Sequence, residues 1–261
     1  MTLWQGIILG LVQGLTEFLP VSSSGHLRVL EVVTGVRTPG VFVEVALHVA
    51  TLGSVLVAYG ARLWQIARGA FALRAQELRT AGLLLLATIP AGVLGVLFHR
   101  QVEEAATSLV LVGIGFLITG FVNWSTRRLA GTRSEPTAGG ATGIGFAQAV
   151  SAVFRGVSRS GSTVAAGLWG GLSPAAAAEF SFLLAVPVIA GAALLESRHV
   201  TSGVAAVGAL PLAVSFGIAF VAGLWSIRFL VTLLKRGRFY AFAPYNWAIG
   251  VLTIVYGLWR G

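Results

Sequence analysis

The stretch Gln13-Gly-Leu-Thr-Glu-Phe-Leu-Pro-Val-Ser-Ser-Ser-Gly-His26 decides the fold, because it places a cluster of polar side chains inside an otherwise apolar region. Gln13 and Glu17 are four residues apart, so they share one face of a helix. Pro20 is expected to end that helix, because the residue before a proline avoids the α conformation. Residues 22–25 then form a turn from which a second helix starts, and the free backbone N–H groups of that helix would favour an anion.

The composition of the chain is that of an integral membrane protein. Hydrophobic residues make up 56% of the 261 residues, charged residues only 10%, and the mean hydropathy is +0.86. A soluble globular protein would carry about a quarter charged residues, so a soluble enzyme is excluded. The net charge of +9 comes largely from basic residues beside apolar runs, which indicates orientation in a membrane and no nucleic-acid partner. The chain has no cysteine, which excludes disulfides and thiolate metal sites.

Six apolar stretches are long enough to span a bilayer, which takes about 20 residues. They are residues 41–60, 81–98, 107–124, 175–197, 204–230 and 244–260. Two further segments, 2–32 and 143–172, each consist of two short apolar arms joined by a Ser/Gly turn. This pattern is typical of a re-entrant segment, which enters the membrane and turns back inside protein. The predicted fold class is an all-α integral membrane protein with six transmembrane helices plus two re-entrant helix-turn-helix segments.

The two broken segments resemble each other, which indicates a duplication. The matched positions, at an offset of about 135 residues, are Ser22–Gly25 with Ser158–Gly161, Gln13 with Gln148, and Glu44 with Glu179. The chain is therefore interpreted as a single membrane domain over 1–261, with one repeat over about 1–130 and a second over about 140–261. A stripe of glycines at 6, 10 and 14 is expected to let another helix pack closely against the first.

Basic loops indicate how the spans are oriented. The three loops expected in the cytoplasm are residues 61–80, 125–142 and 235–243. Threading the six spans then places 99–106 and 198–203 outside, so the two broken segments enter the membrane from opposite sides. The halves would form an inverted-topology repeat, and in such folds the broken segments meet near the bilayer midplane and form the site there.

If the two turns meet, they bring together a carboxylate, an imidazole, hydroxyls and guanidinium groups. The first half supplies Gln13, Glu17, Ser22, Ser23, Ser24 and His26, and the second supplies Arg155, Ser158, Arg159, Ser160, Ser162 and Thr163. This inventory suits phosphoryl transfer, because guanidinium and N–H donors hold a phosphate while a hydroxyl attacks it. A carboxylate can bind a divalent ion that bridges diphosphate oxygens, or it can take the proton of the nucleophile.

Several of these residues also have a purely structural interpretation. The serines at 22–24 could be ordinary turn and cap residues, and His26 could be an interfacial histidine bonded to backbone. Arg159 could extend to the membrane surface, although it lies between short apolar arms far from any basic cluster. These alternatives stay open on the sequence alone.

Two more acidic residues lie at apolar stretches, where an unpartnered ionisable group costs several kcal/mol. Glu44 and His48 are one turn apart inside a span, and three interpretations stay open: they only bond each other, they take a direct part in the site, or they support its residues. Glu179 follows a Ser-Pro pair that is a strong helix start, and it is interpreted as structural.

At these motifs the chain resembles the undecaprenyl-diphosphate phosphatase family, the membrane enzymes associated with bacitracin resistance. The stretch Gln13–His26 is similar to the glutamate-rich first motif of the family, and Gly156–Thr163 is similar to the second. Glu179–Pro187 and the stretch around Glu44 and His48 also resemble family segments. The resemblance spans essentially the whole chain.

The resemblance implies removal of the terminal phosphate from undecaprenyl diphosphate, with a divalent cation such as Mg²⁺ or Ca²⁺. By position, Ser23 resembles the nucleophile, Glu17 the metal-binding or base carboxylate, His26 the acid/base partner and Arg159 the diphosphate clamp. Gln13 is expected at the metal together with Glu17, and Glu44 and His48 are expected to support the site. Substrate contacts are expected from the other polar residues of the turns, which are Ser22, Ser24, Arg155, Ser158, Ser160 and Thr163.

The resemblance also implies partners and a location. The substrate is a polyprenyl diphosphate lipid, the protein is a homodimer in the bacterial inner membrane, and the site opens to the outer, periplasmic face. The product, a monophosphate carrier, returns to cell-wall synthesis. The alternative function is a flippase or transporter of polyprenyl phosphates, because inverted repeats with broken helices are the usual architecture of secondary transporters.

Two positions depart from the family pattern. Gln13 stands where many members have a second glutamate, which weakens any mechanism that needs two carboxylates on the metal. Arg155 stands where a proline usually precedes Gly156, which adds positive charge near the clamp and makes the turn less rigid.

Overall fold

The computed structural model describes residues 1–35, 42–97, 108–197 and 200–260, and over these ranges the chain is α-helical with no β-strand. The helices are α1 (Leu3–Thr16), α2 (Ser23–Thr34), α3 (Phe42–Phe71), α4 (Ala75–Leu97), α5 (Leu109–Ser125), α6 (Ala138–Val153), α7 (Arg159–Trp169), α8 (Pro174–Glu196), α9 (Val200–Val207), α10 (Ala209–Lys235) and α11 (Ala243–Arg260), with a 3-10 turn at Phe239–Phe242. The predicted all-α class is confirmed.

Five helical stretches are long and apolar enough to cross a membrane. They are Phe42–Phe71, Ala75–Leu94, Pro174–Leu195, Ala209–Lys235 and Phe239–Arg260. The remaining stretch predicted to span, 107–124, overlaps α5, an apolar helix of 17 residues. The architecture therefore fits a multi-pass membrane protein.

The segment 61–80 was predicted as a loop, and this prediction is wrong. Helix α3 continues to Phe71 and α4 begins at Ala75, so only a three-residue turn separates the two helices. The arginines of this segment mark the end of the apolar region and not the end of the helix, because a long basic side chain can extend from a helix into water.

Three other predicted boundaries also need correction. The predicted span 204–230 is interrupted at Gly208, whose φ of +89° ends α9 and lets α10 start at the next residue. Helix α9 also takes up residues 200–203 of the predicted outer loop 198–203. The first helix ends at Thr16, before Pro20, because the chain needs several non-helical residues to reach the turn. The predicted loop 99–106 lies outside the described residues.

The two chain breaks share one capping arrangement. In the first, the Ser22 hydroxyl accepts a hydrogen bond from the Gly25 N–H at the start of α2. In the second, the Ser158 hydroxyl accepts from the Gly161 N–H at the start of α7. Positive φ angles of 66° at Ser22 and 90° at Gly156 turn the chain before each restart. The proposed division into two repeats stays a prediction.

Glycine contacts bring helices from opposite halves together. Gly6, Gly10 and Gly14 of α1 lie directly against the α10 backbone, as the glycine stripe predicted. Gly145 of α6 lies in the same way against the backbone of Ala87 in α4. Each short helix that precedes a break is therefore packed on a long helix of the other half.

The largest apolar core lies beside the two breaks. Phe18, in the first break, is fully buried and packs edge-on against Phe182 of α8 at 5.5 Å between ring centroids. Val164 of α7 and Leu230 of α10 are buried in the same cluster. Because this core joins both halves, it fixes the distance between the breaks.

The glycine stripe can be tested with a pair of alanine substitutions. In Gly14→Ala the new Cβ would lie 2.6 Å from the Ala219 carbonyl oxygen, whereas Gly217 of α10 has open space around it. We expect Gly14→Ala to destabilise the protein by about 1–3 kcal/mol through overpacking. Gly217→Ala should leave the unfolding midpoint in detergent unchanged or higher, because alanine favours helix. Equal midpoints for the two variants would contradict the close packing.

Candidate active site

The Glu17 carboxylate is the centre of the polar cluster formed by the two breaks. It is only 5% exposed. Its Oε2 accepts hydrogen bonds from Gln13 Nε2 at 3.0 Å and Ser23 Oγ at 2.6 Å, and lies 3.3 Å from His48 Nε2. Its Oε1 accepts from Arg159 Nη2 at 2.6 Å. The prediction that the two breaks meet is confirmed by this last contact.

Four helices supply the partners of this carboxylate. Gln13 comes from the last turn of α1, Ser23 starts α2, His48 lies in α3 and Arg159 starts α7. The guanidinium balances the charge of Glu17 in a region where an unpaired carboxylate would be costly. The cluster is therefore complete only when both halves of the chain are assembled.

His48 is held in one orientation by its own helix. Its Nδ1 donates to the Glu44 carbonyl at 2.7 Å. Because a carbonyl can only accept, Nδ1 carries a proton and Nε2 is the atom presented to Glu17. One sequence interpretation was a bond between His48 and Glu44; the contact is to the Glu44 backbone carbonyl, and the His48 ring reaches the Glu17 carboxylate.

Arg159 has a second contact that fixes its direction. Its Nη1 donates to the Ser181 carbonyl of α8 at 3.4 Å. Thr163, one turn along α7, donates to the Arg159 carbonyl at 2.8 Å and shares a 2.6 Å hydrogen bond with the Ser181 hydroxyl. Thr163 thus helps to hold Arg159 in place through its backbone carbonyl. The predicted contact of Thr163 with substrate stays a prediction.

The first break is anchored by side chains from both halves. The Pro20 carbonyl accepts from Asn123 Nδ2 of α5 at 2.8 Å and from Asn246 Nδ2 of α11 at 3.0 Å. The neighbouring Leu19 carbonyl accepts from Ser160 Oγ at 3.0 Å. These bonds satisfy carbonyls that have no helical partner, as buried irregular backbone requires.

The second break is anchored by α5. Thr119 Oγ1 donates to the Gly156 carbonyl at 2.9 Å and accepts from the Ser158 N–H at the same distance. Gly156 itself lies against the Val112 carbonyl, where a side chain would not fit. A single threonine therefore closes the turn in which α7 begins.

His26 lies one turn into α2, three residues after Ser23. Its Nδ1 donates to the Ser22 carbonyl at 2.8 Å, and its Nε2 is 2.7 Å from the Tyr245 hydroxyl. The ring also packs edge-on against Phe116 at 4.9 Å. His26 and Glu17 thus occupy two sides of the start of α2.

The other predicted site residues surround the cluster in supporting contacts. Arg155 donates to Glu44 Oε2 at 2.9 Å, so these two predicted residues form an ion pair between the halves. The Ser24 hydroxyl is 3.4 Å from that of Ser22, and those of Ser158 and Ser160 are 3.2 Å apart. Their predicted contacts with substrate stay predictions. Glu179, interpreted as structural, pairs with Arg62 at 3.0 Å.

The residues present fit a divalent cation that is held partly by substrate. Within the described ranges, no three His or Glu side chains lie together as a complete metal site. Gln13 Oε1, however, is buried and has no hydrogen-bond partner among the described residues, and it lies on the residue that contacts Glu17. One amide oxygen and one carboxylate suit Mg²⁺, which usually takes its remaining ligands from water and phosphate oxygens.

Four residues that anchor the breaks or contact His26 were not predicted from the sequence. Asn123, Asn246, Thr119 and Tyr245 were not singled out, although the two asparagines are polar residues at apolar stretches, which is a sign of a functional or anchoring role. Tyr245 gives no such sign, because tyrosine is common at membrane interfaces.

The shared anchor at Pro20 predicts non-additive mutations. Asn246→Ala alone should cost about 1 kcal/mol, because Asn123 still bonds the carbonyl. The double variant with Asn123→Ala should cost about 1–3 kcal/mol more than the sum, since the buried carbonyl is then unsatisfied. Thermal unfolding in detergent measures this.

The matched control for this pair is Asn123→Ala with Thr253→Ala. The Thr253 hydroxyl bonds the Ile249 carbonyl of its own helix, so this pair should be additive. Additivity of the two asparagine variants as well would contradict a shared anchor.

Comparison with known proteins identifies the family. The family model described as bacitracin resistance protein BacA matches residues 6–252. A protein of Desulfosudis oleivorans named undecaprenyl-diphosphatase is 41% identical over 273 residues, covering 97% of this chain and 98% of the relative. Proteins of the same name from Bacteroides fragilis and Halothermothrix orenii are 38% and 34% identical, with at least 97% of each chain covered. The chain belongs to the bacitracin resistance protein BacA family.

Proposed function

We propose that this chain removes the terminal phosphate from undecaprenyl diphosphate, which returns undecaprenyl phosphate to cell-wall synthesis and gives resistance to bacitracin. The observation that carries the proposal is the buried contact of Glu17 with both Ser23 and Arg159. It places a hydroxyl, a proton acceptor and a phosphate-binding guanidinium within one cluster. The name shared by relatives at 33–41% identity is the same activity.

The cluster suits attack on a diphosphate. A serine hydroxyl is a weak nucleophile until a neighbouring base takes its proton, and Ser23 donates to Glu17 at 2.6 Å. Arg159 offers a planar fork of N–H donors that matches phosphate oxygens. In an interior from which water is largely excluded, these fixed charges act more strongly than they would in water.

The reaction proceeds through two displacements in this mechanism. When the diphosphate binds, Arg159 donates to its oxygens, and Glu17 becomes a stronger proton acceptor as it loses that partner. Ser23 Oγ forms a bond to the terminal phosphorus while its proton passes to Glu17, and the bond from that phosphorus to the bridging oxygen breaks, releasing undecaprenyl phosphate. In the second displacement a water oxygen bonds to the phosphorus of the phosphoserine as the bond from phosphorus to Ser23 Oγ breaks. Glu17 returns its proton to Ser23 Oγ, and inorganic phosphate leaves with the hydrogens of the water. The acid/base role of His26 comes from the resemblance and is part of this proposal.

A divalent cation, Mg²⁺ or Ca²⁺, is part of the proposal. Gln13 Oε1 and the Glu17 carboxylate would hold it together with oxygens of the diphosphate. Such an ion would neutralise charge on the leaving phosphate. The unpartnered Gln13 Oε1 supports this assignment.

The proposed topology has six spans and two re-entrant segments in an inverted repeat. Helices α1, α2, α6 and α7 have 14, 12, 16 and 11 residues, each below the length of a span. The packing of α1 on α10 and of α6 on α4 supports the inverted arrangement. The homodimer implied by the resemblance remains a prediction.

The site is proposed to open to the outer face of the inner membrane. The length of helix α3 gives the distance between the Glu17 cluster and the basic end of that helix. His48, near its start, contacts Glu17, and Arg62 and Arg68 lie toward its other end. At a rise of roughly 1.5 Å per residue, His48 and Arg62 are about 20 Å apart along the axis. The arginine-rich end is the cytoplasmic one by the positive-inside rule, so the cluster lies nearer the outer side.

Arg159→Lys tests the clamp, and Arg62→Lys is its matched control. Both arginines pair with a glutamate of the other half. We expect purified Arg159→Lys to release phosphate from a polyprenyl diphosphate at least about 100-fold more slowly, because lysine lacks the fork of donors. Arg62→Lys should stay within about threefold of the unmodified protein, because its effect would be limited to a partly exposed ion pair away from the Glu17 cluster.

Two outcomes would contradict the proposed function. One is an Arg159→Lys variant as active as the Arg62→Lys variant. The other is transport of the lipid phosphate across vesicles by a protein that releases no phosphate, which would favour the transport alternative.

The metal proposal is tested by chelation with Gln13→Leu and its counterpart Gln148→Leu. Gln148 is a close match, because its Oε1 is likewise buried with no hydrogen-bond partner among the described residues, but its Nε2 donates to the Ala87 carbonyl of α4 and not to a carboxylate. We expect chelator to abolish phosphate release and added Mg²⁺ or Ca²⁺ to restore it. Gln13→Leu should raise the half-activating cation concentration about 10-fold or more, the scale of lost metal-site contacts, and Gln148→Leu should not. An unchanged concentration in Gln13→Leu would exclude Gln13 from the metal site.

A further inference from the structure

We propose that Tyr245 belongs to the active site as a positioning residue for His26. The inference rests on the proposed function and assigns that site one more side chain. Tyr245 lies in the first turn of α11, 219 residues from His26 along the chain. The two side chains are connected by a hydrogen bond and by ring stacking.

The hydrogen bond fixes which atoms of His26 carry protons. The Ser22 carbonyl only accepts, so His26 Nδ1 must carry a proton. In the neutral ring Nε2 is then an acceptor, and the Tyr245 hydroxyl, 2.7 Å away, donates to it. One backbone carbonyl and one phenol therefore select a single tautomer.

The stacking fixes the plane of the ring. The His26 and Tyr245 rings are parallel to within 3° at 5.7 Å between centroids. Phe116 packs against the imidazole edge-on. An imidazole held on two sides and bonded at both nitrogens has one orientation, which is what an acid/base group needs before the substrate arrives.

The tyrosine is not explained by packing alone. Its side chain is 48% exposed, so the hydroxyl could be satisfied by water or lipid headgroups, yet it lies against Nε2. The following residue, Asn246, bonds the Pro20 carbonyl of the first break. The start of α11 thus holds both the backbone of the break and the imidazole that follows it.

The hydrogen bond also lets the pair respond to a proton. When Nε2 takes up a proton, the bond reverses and Nε2–H donates to the tyrosine oxygen. In this arrangement the tyrosine oxygen acts through His26, and its loss should affect turnover more than binding.

Tyr245→Phe is the test, because it removes only the hydroxyl and keeps the stacked ring. Tyr256→Phe, on the same helix, is the matched control, since Tyr256 packs against Arg260 away from the site. We expect Tyr245→Phe to lower kcat for polyprenyl diphosphate hydrolysis about tenfold or more with KM within about twofold, the scale seen when a group that orients an active-site ring is lost. Tyr256→Phe should match the unmodified protein.

A double-mutant cycle separates positioning from general destabilisation. In a His26→Ala background, Tyr245→Phe should cause no further loss of kcat, because the group it orients is gone. An equal loss in both backgrounds, or a Tyr245→Phe variant as active as Tyr256→Phe, would overturn the inference.

A spectroscopic measurement keeps the test independent of activity. In protein labelled with ¹⁵N-histidine, with His26→Ala used to assign the resonance, Tyr245→Phe should shift the Nε2 signal of His26 and Tyr256→Phe should not. An unmodified protein that releases no phosphate would refute the proposed function, and the ¹⁵N shift would still decide the contact. An unchanged Nε2 signal would overturn the inference even in an active enzyme.

Discussion

The buried carboxylate of Glu17 imposes the constraint on which the rest of the structure depends. A charge in an apolar interior must be matched by an opposite charge and by hydrogen bonds, and breaking such a buried pair typically costs about 3–5 kcal/mol. Arg159 supplies the charge from the other half of the chain, while Gln13, Ser23 and His48 supply the remaining contacts. Because these donors come from four helices, assembly of the fold and assembly of the site are one event.

The same constraint explains why the breaks are anchored so thoroughly. Glu17 and Arg159 meet where the chain leaves helical geometry twice, and each break leaves buried backbone groups without a helical partner. Amide side chains of α5 and α11 bond the Pro20 carbonyl, and Thr119 bonds the second break. Small residues then let the short helices approach their long partners closely enough to hold this geometry. The non-helical backbone of the two breaks is therefore stabilised by side chains that project from regular helices and by close helix packing.

Much of this arrangement could be predicted from sequence, because it follows from local spacing. The four-residue separation of Gln13 and Glu17 predicted their contact, and the matched Ser/Gly turns predicted that the breaks meet. The ends of the helices were predicted poorly. Hydropathy indicates where the apolar part of α3 ends, whereas the helix itself continues beyond that point to Phe71. The direct contact of His48 with Glu17 could not be predicted either. It depends on the rotation of α3 against the breaks, which only tertiary packing sets.

The polar side chains in the first turn of α2 contact different partners. This separation affects two proton transfers of the proposed mechanism, the one from the nucleophile and the one to the leaving phosphate. Ser23 faces Glu17, whereas His26, three residues later, faces Tyr245. In the proposed mechanism Glu17 takes the proton of the nucleophile, and His26 takes up a proton at Nε2 before it can give one to the departing phosphate. A single group could take the proton of the nucleophile and then pass it to the leaving group, as the histidine of a Ser-His-Asp triad does. Here Glu17, in the first break, and His26, in the first turn of α2, divide the two transfers, because each has its own partner and its own protonation state.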